Sequence, residues 1–586
     1  MWFSLLALTL HSATALVAAA QLALPNPPWL PPDLSEGAKK SNESVPNPQW
    51  STLLGNALYF YEAQRSGELP STKRVSWRNA STLDDGKSAH VDLSGGYYDA
   101  GDFSKQTLPL AFTLMSVCWG ATDFGKGYDM ANQTAYLDDM LRWGLDWLIQ
   151  AHPSDSVLYV LVGNKDIENT YWGGDRTIPS PRPVYQINDT APGTDVAAQT
   201  AAAFAACSNL YASRSFDSSS FSTPATLQDK SYADTLLTHA QQLYKFAVNA
   251  SGGRKVYQKS VPEVAASYAS TEYGDDLAIA ALFLAWATND AALYQEAEGY
   301  YDKYKLQEDN RLFNWDTKTP GLPVLFSQIA KSNPNVGGNL GKWQDAAEAY
   351  FDSIVNNKDS PAFMTTGGLV YFEGNSDDNS INPALNLAML LRRYSTLTTS
   401  SDKKSKYLDF SQKQLDYVLG DNPMSMPYVV GVNPNSPAKP HSALAHGGND
   451  VGEIDTNPEK NTYTLYGAVV GGPDRWDRYF DIRSDWPQAE IALDYNAPLL
   501  TLAAMHTLAD SKDPFYTTLQ AGEYDKVKPD GLPCDAAFPQ GCKGPALSKG
   551  GKIAMAVVIV VASLIVLGLS AYYVFLLIRN AKEGTV

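Results

Sequence analysis

Two aspartates lie three residues apart in an unusual setting near the start of the chain. Asp99 and Asp102 belong to the stretch "GGYYDAGDFSK", Gly95–Lys105, where glycines and aromatic residues surround them. Surface carboxylates more often lie among lysines and serines. A carboxylate can transfer protons in catalysis, or it can hold a loop or cap a helix through backbone N–H groups. This stretch is therefore the first candidate for chemistry.

A second acidic and aromatic stretch is "GAVVGGPDRWDRYFDIRSDWPQAEIALDYNA", Gly467–Ala497. Its acidic residues include Asp474, Asp477, Asp481, Asp485 and Glu490. Glu490 comes shortly after Pro487, which we interpret as a helix start, and the apolar run Ile491–Leu493 follows it. Because an apolar setting raises the pKa of a carboxyl group, we expect Glu490 to be protonated near working pH.

A protonated carboxyl and an ionised one together can cleave a glycosidic bond. The acid protonates the leaving oxygen, and the base activates water or attacks the sugar. Other chemistries have less support, since the chain has no Gly-x-Ser-x-Gly motif and no Walker-type glycine loop. His441 and His446 are five residues apart without a cysteine or a matched acidic motif, which disfavours a zinc site.

The composition is typical of an acidic extracellular protein. The chain has 586 residues, 44% of them hydrophobic, and a formal charge of −18. That length can bury a large core. A nucleic-acid-binding protein usually has a basic face, and no cluster of lysine and arginine is present. The balance suits a neutral ligand and argues against nucleic acid as a partner.

Both ends of the chain carry apolar segments. Residues 1–20 are typical of a signal peptide that ends in small residues, and residues 21–45 form a proline-rich arm or linker. The uncharged run at residues 553–578 is long enough to cross a bilayer. A signal for a lipid anchor is the alternative, but charged residues follow this run. We therefore predict a stalk at 513–552 and a cytosolic tail at 579–586.

Glycosylation sequons and cysteines fit the secretory route. The Asn-x-Ser/Thr sites are Asn42, Asn79, Asn132, Asn188 and Asn249. Cys534 and Cys542 lie close together and are predicted to form a small disulfide loop. Cys118 and Cys207 lie in apolar helical patterns, where buried thiols and a disulfide are both consistent with the sequence.

The body between the arm and the stalk is helical in pattern. About twelve segments repeat apolar residues at three- and four-residue spacing, from "WSTLLGNALYFYEAQR" to "QAEIALDYNAPLLTLAAMHTLA". Several are alanine-rich on more than one face, which suits helices buried between neighbours. A solenoid would show a repeat of fixed period, and none is evident. We predict an all-α fold in which a closed double ring of helices gathers its loops, and the site, at one end.

At this point several segments support a resemblance to a known family. The two acidic stretches resemble the signature regions of glycoside hydrolase family 9, the inverting cellulases. "PGTDVAAQTAAAFAACS", "YGDDLAIAALFLAWAT", "FNWDTKTPG" and "QLDYVLGDNPMSMPYVVGVNP" resemble further family segments in the same order. The resemblance covers residues 46–512, the predicted catalytic domain, and implies an (α/α)6 barrel.

The resemblance also implies roles for individual residues. Asp102 corresponds to the catalytic base, Asp99 to the aspartate that helps to hold the nucleophilic water, and Glu490 to the general acid. The substrate-binding residues that it implies are Tyr495, Trp172, Trp315, His441 and Tyr428. No cofactor is required for this chemistry.

Four positions depart from the family pattern. Ala443 stands where an arginine is usual, Asn169 replaces a histidine, and Pro427 replaces the serine before Tyr428. A tryptophan expected soon after Gly367–Leu369 is not evident. In the family these positions touch substrate rather than break the bond. The resemblance therefore implies an intact reaction with an altered substrate preference.

Some family members bind calcium near the segment that resembles "STEYGDDLAIA". Asp275 and Asp276 match acidic positions there, whereas Thr271 and Glu272 depart from the pattern. Calcium takes oxygen ligands of varied kinds. The alternative is an acidic pair at a helix N-terminus, where the helix dipole favours negative charge. The sequence leaves a structural calcium and a dipole pair equally open.

Together these features predict a single-pass type I membrane protein with an extracellular catalytic domain. Its predicted activity is that of an endo-β-1,4-glucanase that hydrolyses cellulose or a related β-glucan with inversion. One alternative is the same fold acting on mixed-linkage or cell-wall β-glucan. The other is a non-catalytic cell-surface glucan-binding protein, although all three carboxylates are retained.

Overall fold

The computed structural model describes residues 21–216, 223–308, 312–542 and 549–583. The predicted signal peptide, residues 1–20, lies outside this range. The chain forms two compact units, one ending at Asp530 and one beginning at Gly531.

Twelve helices of eleven or more residues occur in the described part of the first unit. Their bounds are α1 Pro48–Ala63, α2 Thr107–Phe124, α3 Thr134–Ala151, α4 Thr194–Tyr211, α5 Lys230–Asn249, α6 Gly274–Thr288, α7 Ala291–Lys303, α8 Leu322–Ser332, α9 Leu340–Val355, α10 Ile381–Tyr394, α11 Ser401–Val418 and α12 Leu493–Ala509.

The even-numbered helices form a closed inner ring. Each packs on the next, from α2 through α4, α6, α8 and α10 to α12, and α12 packs back on α2. The odd-numbered helices cover this ring from outside, with α1 on α12, α5 on α4, α7 on α6, α9 on α8 and α11 on α10. The predicted double ring of about twelve helices is confirmed.

The division into two rings follows from the sequence of each helix. The inner helices α2 and α4 bury every residue, which agrees with their apolar and alanine-rich composition. Outer helices such as α5 and α9 are amphipathic and bury one face. Five outer helices begin with a side-chain cap, from Asn47, Asp229, Asp290, Asn339 and Ser400. Such caps satisfy N–H groups that would otherwise lack partners.

Several inner helices instead have their first N–H groups bonded by loops. Thr194 N of α4 donates to Lys255 O at 2.8 Å, and Leu493 N of α12 donates to Asp99 O at 3.0 Å. The loop around the predicted catalytic aspartates is therefore held directly against the start of an inner helix.

Shorter elements complete the first unit. The strands are β1 Lys105–Gln106, β2 Val157–Val162 and β3 Val184–Asn188 in one antiparallel sheet, and β4 Phe363–Met364 with β5 Val370–Tyr371 in a hairpin. Short α-helices span Leu34–Gly37, Lys126–Met130, Lys165–Glu168, Ala443–His446, Trp486–Ala489 and Glu523–Val527. Short 3-10 helices span Lys87–Ala89, Tyr257–Lys259, Pro262–Ala266, Leu306–Glu308, Thr319–Gly321, Val451–Glu453 and Phe515–Thr518.

A disulfide joins two inner helices. Cys118 of α2 and Cys207 of α4 are bonded, and both are fully buried. The sequence left buried thiols and a disulfide open for these two residues. The structure pairs them across the inner ring, where the bond links neighbouring helices of the barrel.

The proline-rich arm is bound to the outer ring. Leu22 N donates to Asp138 Oδ2 at 2.7 Å, and Trp29 N donates to the Tyr136 hydroxyl at 2.8 Å, both on α3. The Trp29 ring lies against Gly55 of α1, where a Cβ atom would be 2.6 Å from the ring. Glycine at position 55 is what lets the indole approach the helix. The arm therefore packs on the barrel over these residues.

The first unit extends beyond the predicted domain end at residue 512. Tyr516 is fully buried and its hydroxyl donates to Gln49 O at 3.1 Å. Tyr524 is also buried, and its hydroxyl donates to Tyr479 O at 2.9 Å. The predicted start of the stalk at 513 is therefore corrected, because residues up to Asp530 belong to the first unit.

The second unit contains a disulfide loop and one long helix. Cys534 and Cys542 are bonded, as predicted. Helix α13 spans Lys549–Glu583, and its segment Val560–Arg579 is long and apolar enough to cross a membrane. The predicted span 553–578 lies inside this helix.

The predicted glycosylation sites differ in exposure. Three of the five are exposed: Asn42, Asn132 and Asn249. Asn188 is half-buried, and its side-chain oxygen accepts three hydrogen bonds, two from Thr190 and one from the backbone of Ala191. The amide nitrogen of Asn79 donates to Trp77 O at 3.2 Å and to Asp175 Oδ1 at 3.1 Å, so this nitrogen is already engaged.

Candidate active site

Backbone hydrogen bonds join the first acidic stretch to two distant loops. Asp99 N donates to Ser104 O at 2.9 Å and closes the turn that contains Asp102. Ala443 N donates to Gly101 O at 2.9 Å. Gly101 has no space for a side chain, because a Cβ atom would lie 2.3 Å from His441 O. Glycine is therefore required for the close approach of these two loops.

The second acidic stretch places Glu490 in extended backbone. Glu490 ends the short helix Trp486–Ala489 with φ −65° and ψ 148°, and α12 begins only at Leu493. His441 N donates to Ala489 O at 2.8 Å, and Gly471 N donates to Glu490 O at 2.9 Å. The apolar pattern of this segment predicts one continuous helix. The break in that helix is what brings Glu490 beside His441.

Asp99 is buried and held by a tyrosine that the sequence analysis did not single out. The Tyr268 hydroxyl donates to Asp99 Oδ2 in a short hydrogen bond. Asp99 Oδ1 has no hydrogen-bond partner among the described residues. Burial raises the pKa of Asp99 well above its usual range, and the bond from Tyr268 works against that rise.

Asp102 is partly exposed and fixed by its own turn. Its Oδ1 accepts hydrogen bonds from Ser104 N at 3.1 Å and Ser104 Oγ at 3.0 Å. These two bonds orient the carboxylate without enclosing it. Asp102 therefore differs from the buried Asp99, although the two lie three residues apart.

Glu490 is the carboxyl whose environment keeps it protonated. Burial raises its pKa to about 8, and the negative charges of Asp102 and Asp494 add to the rise. A hydrogen bond from the backbone N–H of Gly101 works against it. At neutral pH Glu490 can donate a proton beside Asp102, which is the requirement set out for the cleavage of a glycosidic bond.

Asp494 is a fourth carboxyl at the site, four residues after Glu490. It lies in the first turn of α12 and is 1% exposed. Burial raises its pKa to about 7. Its negative charge contributes to the raised pKa of both Asp99 and Glu490.

His441 lies beside the carboxyl groups with its ring fixed. Its Nδ1 donates to Arg483 O at 2.8 Å, and burial lowers its pKa, so the ring is neutral at neutral pH. The Trp172 ring packs edge-to-face on His441 with 4.9 Å between ring centres. Trp172 Nε1 donates to His446 Nδ1 at 2.6 Å. Both histidines are thus bound to protein partners.

The predicted sugar-binding aromatic residues fall into two groups. Trp315 and Tyr495 are partly exposed, and Trp315 packs edge-to-face on Tyr268, 4.9 Å away. Their positions fit contact with a substrate. Trp172 is 5% exposed, so its predicted stacking on a sugar is corrected: in this structure it supports His441 instead.

Tyr428 is not placed to bind substrate. It is fully buried and packs against Tyr417 and Tyr479, with ring centres 6.3 and 5.3 Å away. The prediction of substrate contact for Tyr428 is therefore wrong. The side chain belongs to the apolar core beneath the loops.

The acidic pair Asp275 and Asp276 lies in the first turn of α6. Lys318 Nζ is 2.5 Å from Asp276 Oδ1, and Lys318 N donates to Asp275 Oδ2 at 2.5 Å. All three residues are fully buried. The lysine thus supplies the positive charge that these carboxylates need. Among the described residues no group of three His, Cys, Asp or Glu side chains could hold a metal ion. The contacts with Lys318 form a buried ion pair, as the alternative of an acidic pair predicts, and a structural calcium at these residues stays a prediction.

Comparison with known proteins agrees with this geometry. Residues 50–503 match the family described as glycosyl hydrolase family 9. The chain belongs to glycosyl hydrolase family 9. It is 35% identical over 481 residues to "Endoglucanase 13" of Arabidopsis thaliana, covering 78% of this chain and 93% of that protein. It is 35% identical over 464 residues to "Endoglucanase A" of Bacillus pumilus, covering 78% of this chain and 66% of that protein.

Solved structures support the same assignment. The endoglucanase from the termite Nasutitermes takasagoensis has 35% sequence identity and a TM-score of 0.70, covering 78% of this chain and 98% of that one. Endoglucanase CelQ from Clostridium thermocellum, complexed with cellotriose, has 27% identity and a TM-score of 0.65, covering 79% of this chain and 70% of that one. The chain is thus a glycoside hydrolase built on the (α/α)6 barrel.

One departure from the family 9 pattern has a visible structural setting. Ala443 is 1% exposed and lies in a small apolar cluster with Tyr98, Phe103, Trp172 and Leu444. A charged side chain at position 443 would have to leave this cluster. The side chain at position 443 therefore packs among apolar neighbours.

The structure adds three residues to the candidate site that sequence reasoning did not assign: Gly101, Tyr268 and Asp494. Gly101 stood within the quoted acidic stretch, and its position between two aspartates was a usable signal. Asp494 likewise stood within the second quoted acidic stretch, four residues after Glu490. Tyr268 carried no comparable signal, because its importance comes from its contact with the distant Asp99.

Proposed function

We propose that this family 9 glycoside hydrolase is an endo-β-1,4-glucanase that hydrolyses cellulose or a related β-glucan with inversion. The observation that carries the proposal is a pair of carboxyl groups in different environments. Burial keeps Glu490 protonated, whereas the partly exposed Asp102 is oriented by a hydrogen bond from Ser104. The names of the relatives support the substrate class, since several are endoglucanases and one was solved with cellotriose.

In the proposed mechanism Asp102 takes a proton from a water molecule. That water attacks the anomeric carbon of the sugar, and Glu490 gives its proton to the departing O4. The water oxygen supplies the electron pair of the new bond to the anomeric carbon, and the glycosidic oxygen keeps the electron pair of the bond that breaks. Glu490 then regains a proton and Asp102 loses one to solvent.

Asp99 fits the role of holding the attacking water. Its Oδ2 is occupied by the Tyr268 hydroxyl, whereas its Oδ1 has no partner among the described residues. A buried carboxylate oxygen favours a hydrogen-bond partner, and a water beside Asp102 would supply one. Tyr268 is then a positioning residue, because it acts on the water through Asp99.

The experiment that tests this proposal is the release of reducing ends from a soluble cellulose derivative. Glu490→Gln and Asp102→Asn should each abolish hydrolysis and keep the wild-type circular dichroism spectrum. The matched controls are Glu459→Gln and Asp84→Asn, at residues whose side chains are 76% and 70% exposed. Full activity in either active-site variant would refute the assignment, and NMR of the first product, expected as the α-anomer, tests inversion.

The apolar setting of Ala443 and the burial of Trp172 favour a second substrate as an alternative. Neither side chain supplies the substrate contact that the family pattern implies at its position, so a related glucan such as a mixed-linkage β-glucan is the alternative substrate. Product analysis on carboxymethyl cellulose, mixed-linkage glucan and xyloglucan separates the alternatives. A protein that binds these glucans but releases no reducing ends would instead be a glucan-binding receptor.

We also propose that the catalytic unit is displayed on the cell surface and anchored by α13. The apolar segment Val560–Arg579 and the bonded cysteines of both units support this location. The full-length protein should remain in the membrane pellet after alkaline carbonate extraction, and a chain ending at Asp530 should be released to the medium. Release of the full-length protein by carbonate would contradict the anchor.

A further inference from the structure

Trp476 is an exposed tryptophan in the loop that precedes Glu490. It is 56% exposed, although large aromatic side chains are usually buried. It lies between Arg475 and Arg478, in "PDRWDR". The proposed mechanism gives this residue no role.

The backbone on both sides of Trp476 is fixed. Asp474 Oδ1 accepts hydrogen bonds from Trp476 N at 2.9 Å and Arg478 N at 3.0 Å. Asp477 is 2% exposed, and its Oδ1 accepts from Thr365 Oγ1 and the Tyr417 hydroxyl, each at 2.6 Å. Buried carboxylates thus anchor the loop and leave the indole between them in solvent. A fixed aromatic side chain loses little conformational entropy when it binds a ligand.

Trp476 is part of a row of alternating arginine and aromatic side chains. The Arg475 guanidinium lies 5.3 Å from the Phe363 ring and 5.9 Å from the Trp476 ring. The Arg478 guanidinium lies 5.0 Å from the Trp476 ring and 5.5 Å from the Phe480 ring. We call these five residues the arginine–aromatic ladder. Cation–π contacts of this kind hold the indole in one orientation.

The charges of the ladder are balanced within the protein. Arg475 forms an ion pair with Glu373 at 3.2 Å, and Arg478 forms one with Asp474 at 2.7 Å. An anion would have to compete with these carboxylates for the guanidinium groups. The ladder therefore suits a neutral ligand that offers an apolar face to the indole and hydroxyl groups to the paired charges.

The ladder is connected to the backbone that carries the proposed acid. Gln488 Oε1 accepts from Phe480 N at 3.0 Å, and Gln488 Nε2 donates to Arg478 O at 3.2 Å. Two residues later, Glu490 O accepts from Gly471 N at 2.9 Å. The loop that carries four of the five ladder residues thus also pairs with the Glu490 segment.

We propose that the arginine–aromatic ladder is an accessory sugar-binding platform, on which Trp476 stacks against a pyranose ring of a neutral β-glucan outside the point of cleavage. This inference rests on the proposed function, because it takes its ligand from the same substrate class. A long chain would contact both the cleavage site and the platform, whereas a short oligosaccharide would occupy the cleavage site alone.

The test compares Trp476→Ala with Trp476→Phe, which keeps an aromatic face. On hydroxyethyl cellulose, a long neutral glucan, we expect Trp476→Ala to raise KM about three- to tenfold, the range expected for one aromatic contact. Trp476→Phe should recover most of this loss. Turnover of cellotetraose should remain at the wild-type rate in both variants. Val527→Ala, at a residue 41% exposed, is the control for an apolar surface change.

Each outcome decides one part of the inference. An unchanged KM for the long glucan in Trp476→Ala overturns the platform while leaving the hydrolase assignment intact, since cellotetraose is still cleaved. A much larger loss on carboxymethyl cellulose than on hydroxyethyl cellulose overturns the neutral-ligand argument. Loss of cellotetraose turnover overturns the separation of the platform from the cleavage site. No hydrolysis by the wild-type protein would refute the proposed function itself.

Discussion

Replacing Glu490 with glutamine should stabilise the protein at alkaline pH while abolishing its activity. The folded protein pays a cost for ionising this carboxyl group, since burial and the charges of Asp102 and Asp494 raise its pKa to about 8. Glutamine has nearly the same shape and never ionises. Its side-chain oxygen can still accept the hydrogen bond from the Gly101 N–H group, so the local geometry is preserved.

The size of the effect follows from the two titrations of Glu490. The ordinary pKa, 4.5, applies to the unfolded chain, and about 8 applies to the folded protein. Between these values the unfolded chain loses its proton and the folded protein keeps it, so the free energy of unfolding falls as pH rises. At about 1.4 kcal/mol per pH unit the full loss approaches 5 kcal/mol. Partial exposure of Glu490 reduces this to about 3 kcal/mol.

The assay is urea unfolding of wild type and Glu490→Gln at about pH 5 and about pH 8.5. We expect similar stability at the lower pH and a variant more stable by about 3 kcal/mol at the higher pH. Glu459→Gln, at an exposed carboxylate, should show no such pH dependence. If Glu490→Gln is equally destabilising at both pH values, Glu490 is not protonated by its surroundings and the reasoning about the acid fails.

Three further predictions concern the barrel and the site. Cys118→Ala combined with Cys207→Ala opens a loop with a sequence separation of 89. Loop entropy then gives a loss of about 4.6 kcal/mol in urea unfolding, and an unchanged midpoint would contradict this. Tyr268→Phe removes the hydrogen bond that lowers the pKa of Asp99, so kcat should fall about tenfold with little change in KM. The acid limb of the plot of kcat against pH should also move to higher pH. An unmoved limb would assign Tyr268 a packing role alone. Lys318→Met leaves Asp276 without its cation and should lower the free energy of unfolding by about 3–5 kcal/mol. A calcium chelator should leave the Tm of the wild-type protein unchanged. A Tm lowered by the chelator would instead support a calcium site at this acidic pair.

The architecture was predictable because its main signal is local. Each ring helix repeats apolar residues along its own sequence, and the alanine-rich segments identified helices with more than one buried face. The predicted start of the last ring helix was wrong, because α12 begins only at Leu493. The run through Glu490 has helical periodicity, but its backbone pairs with His441 and Gly471, and these tertiary hydrogen bonds override local preference.

The site was predictable only in part, because its chemistry depends on contacts between distant loops. The three carboxylates lie in unusual local sequences, and the family resemblance assigned their roles. Tyr268 is one of 33 tyrosines, and its contact with Asp99 joins residues 169 positions apart. The burial of individual side chains was likewise not predictable from the sequence. Trp172 and Tyr428 match substrate-binding positions of the family, yet both are buried among protein neighbours.

Asp102 and Glu490 have different proposed roles, base and acid, because they receive different numbers of hydrogen bonds. Asp102 receives both the backbone N–H and the hydroxyl of Ser104, whereas Glu490 receives one N–H, from Gly101. The negative charge of Asp102 adds to the rise that burial causes in the pKa of Glu490, and a single N–H group offsets little of it. The same turn that supplies Ser104 to Asp102 also brings Gly101 against His441. The acid and the base are therefore set by one short turn, and a change in that turn should alter both roles together.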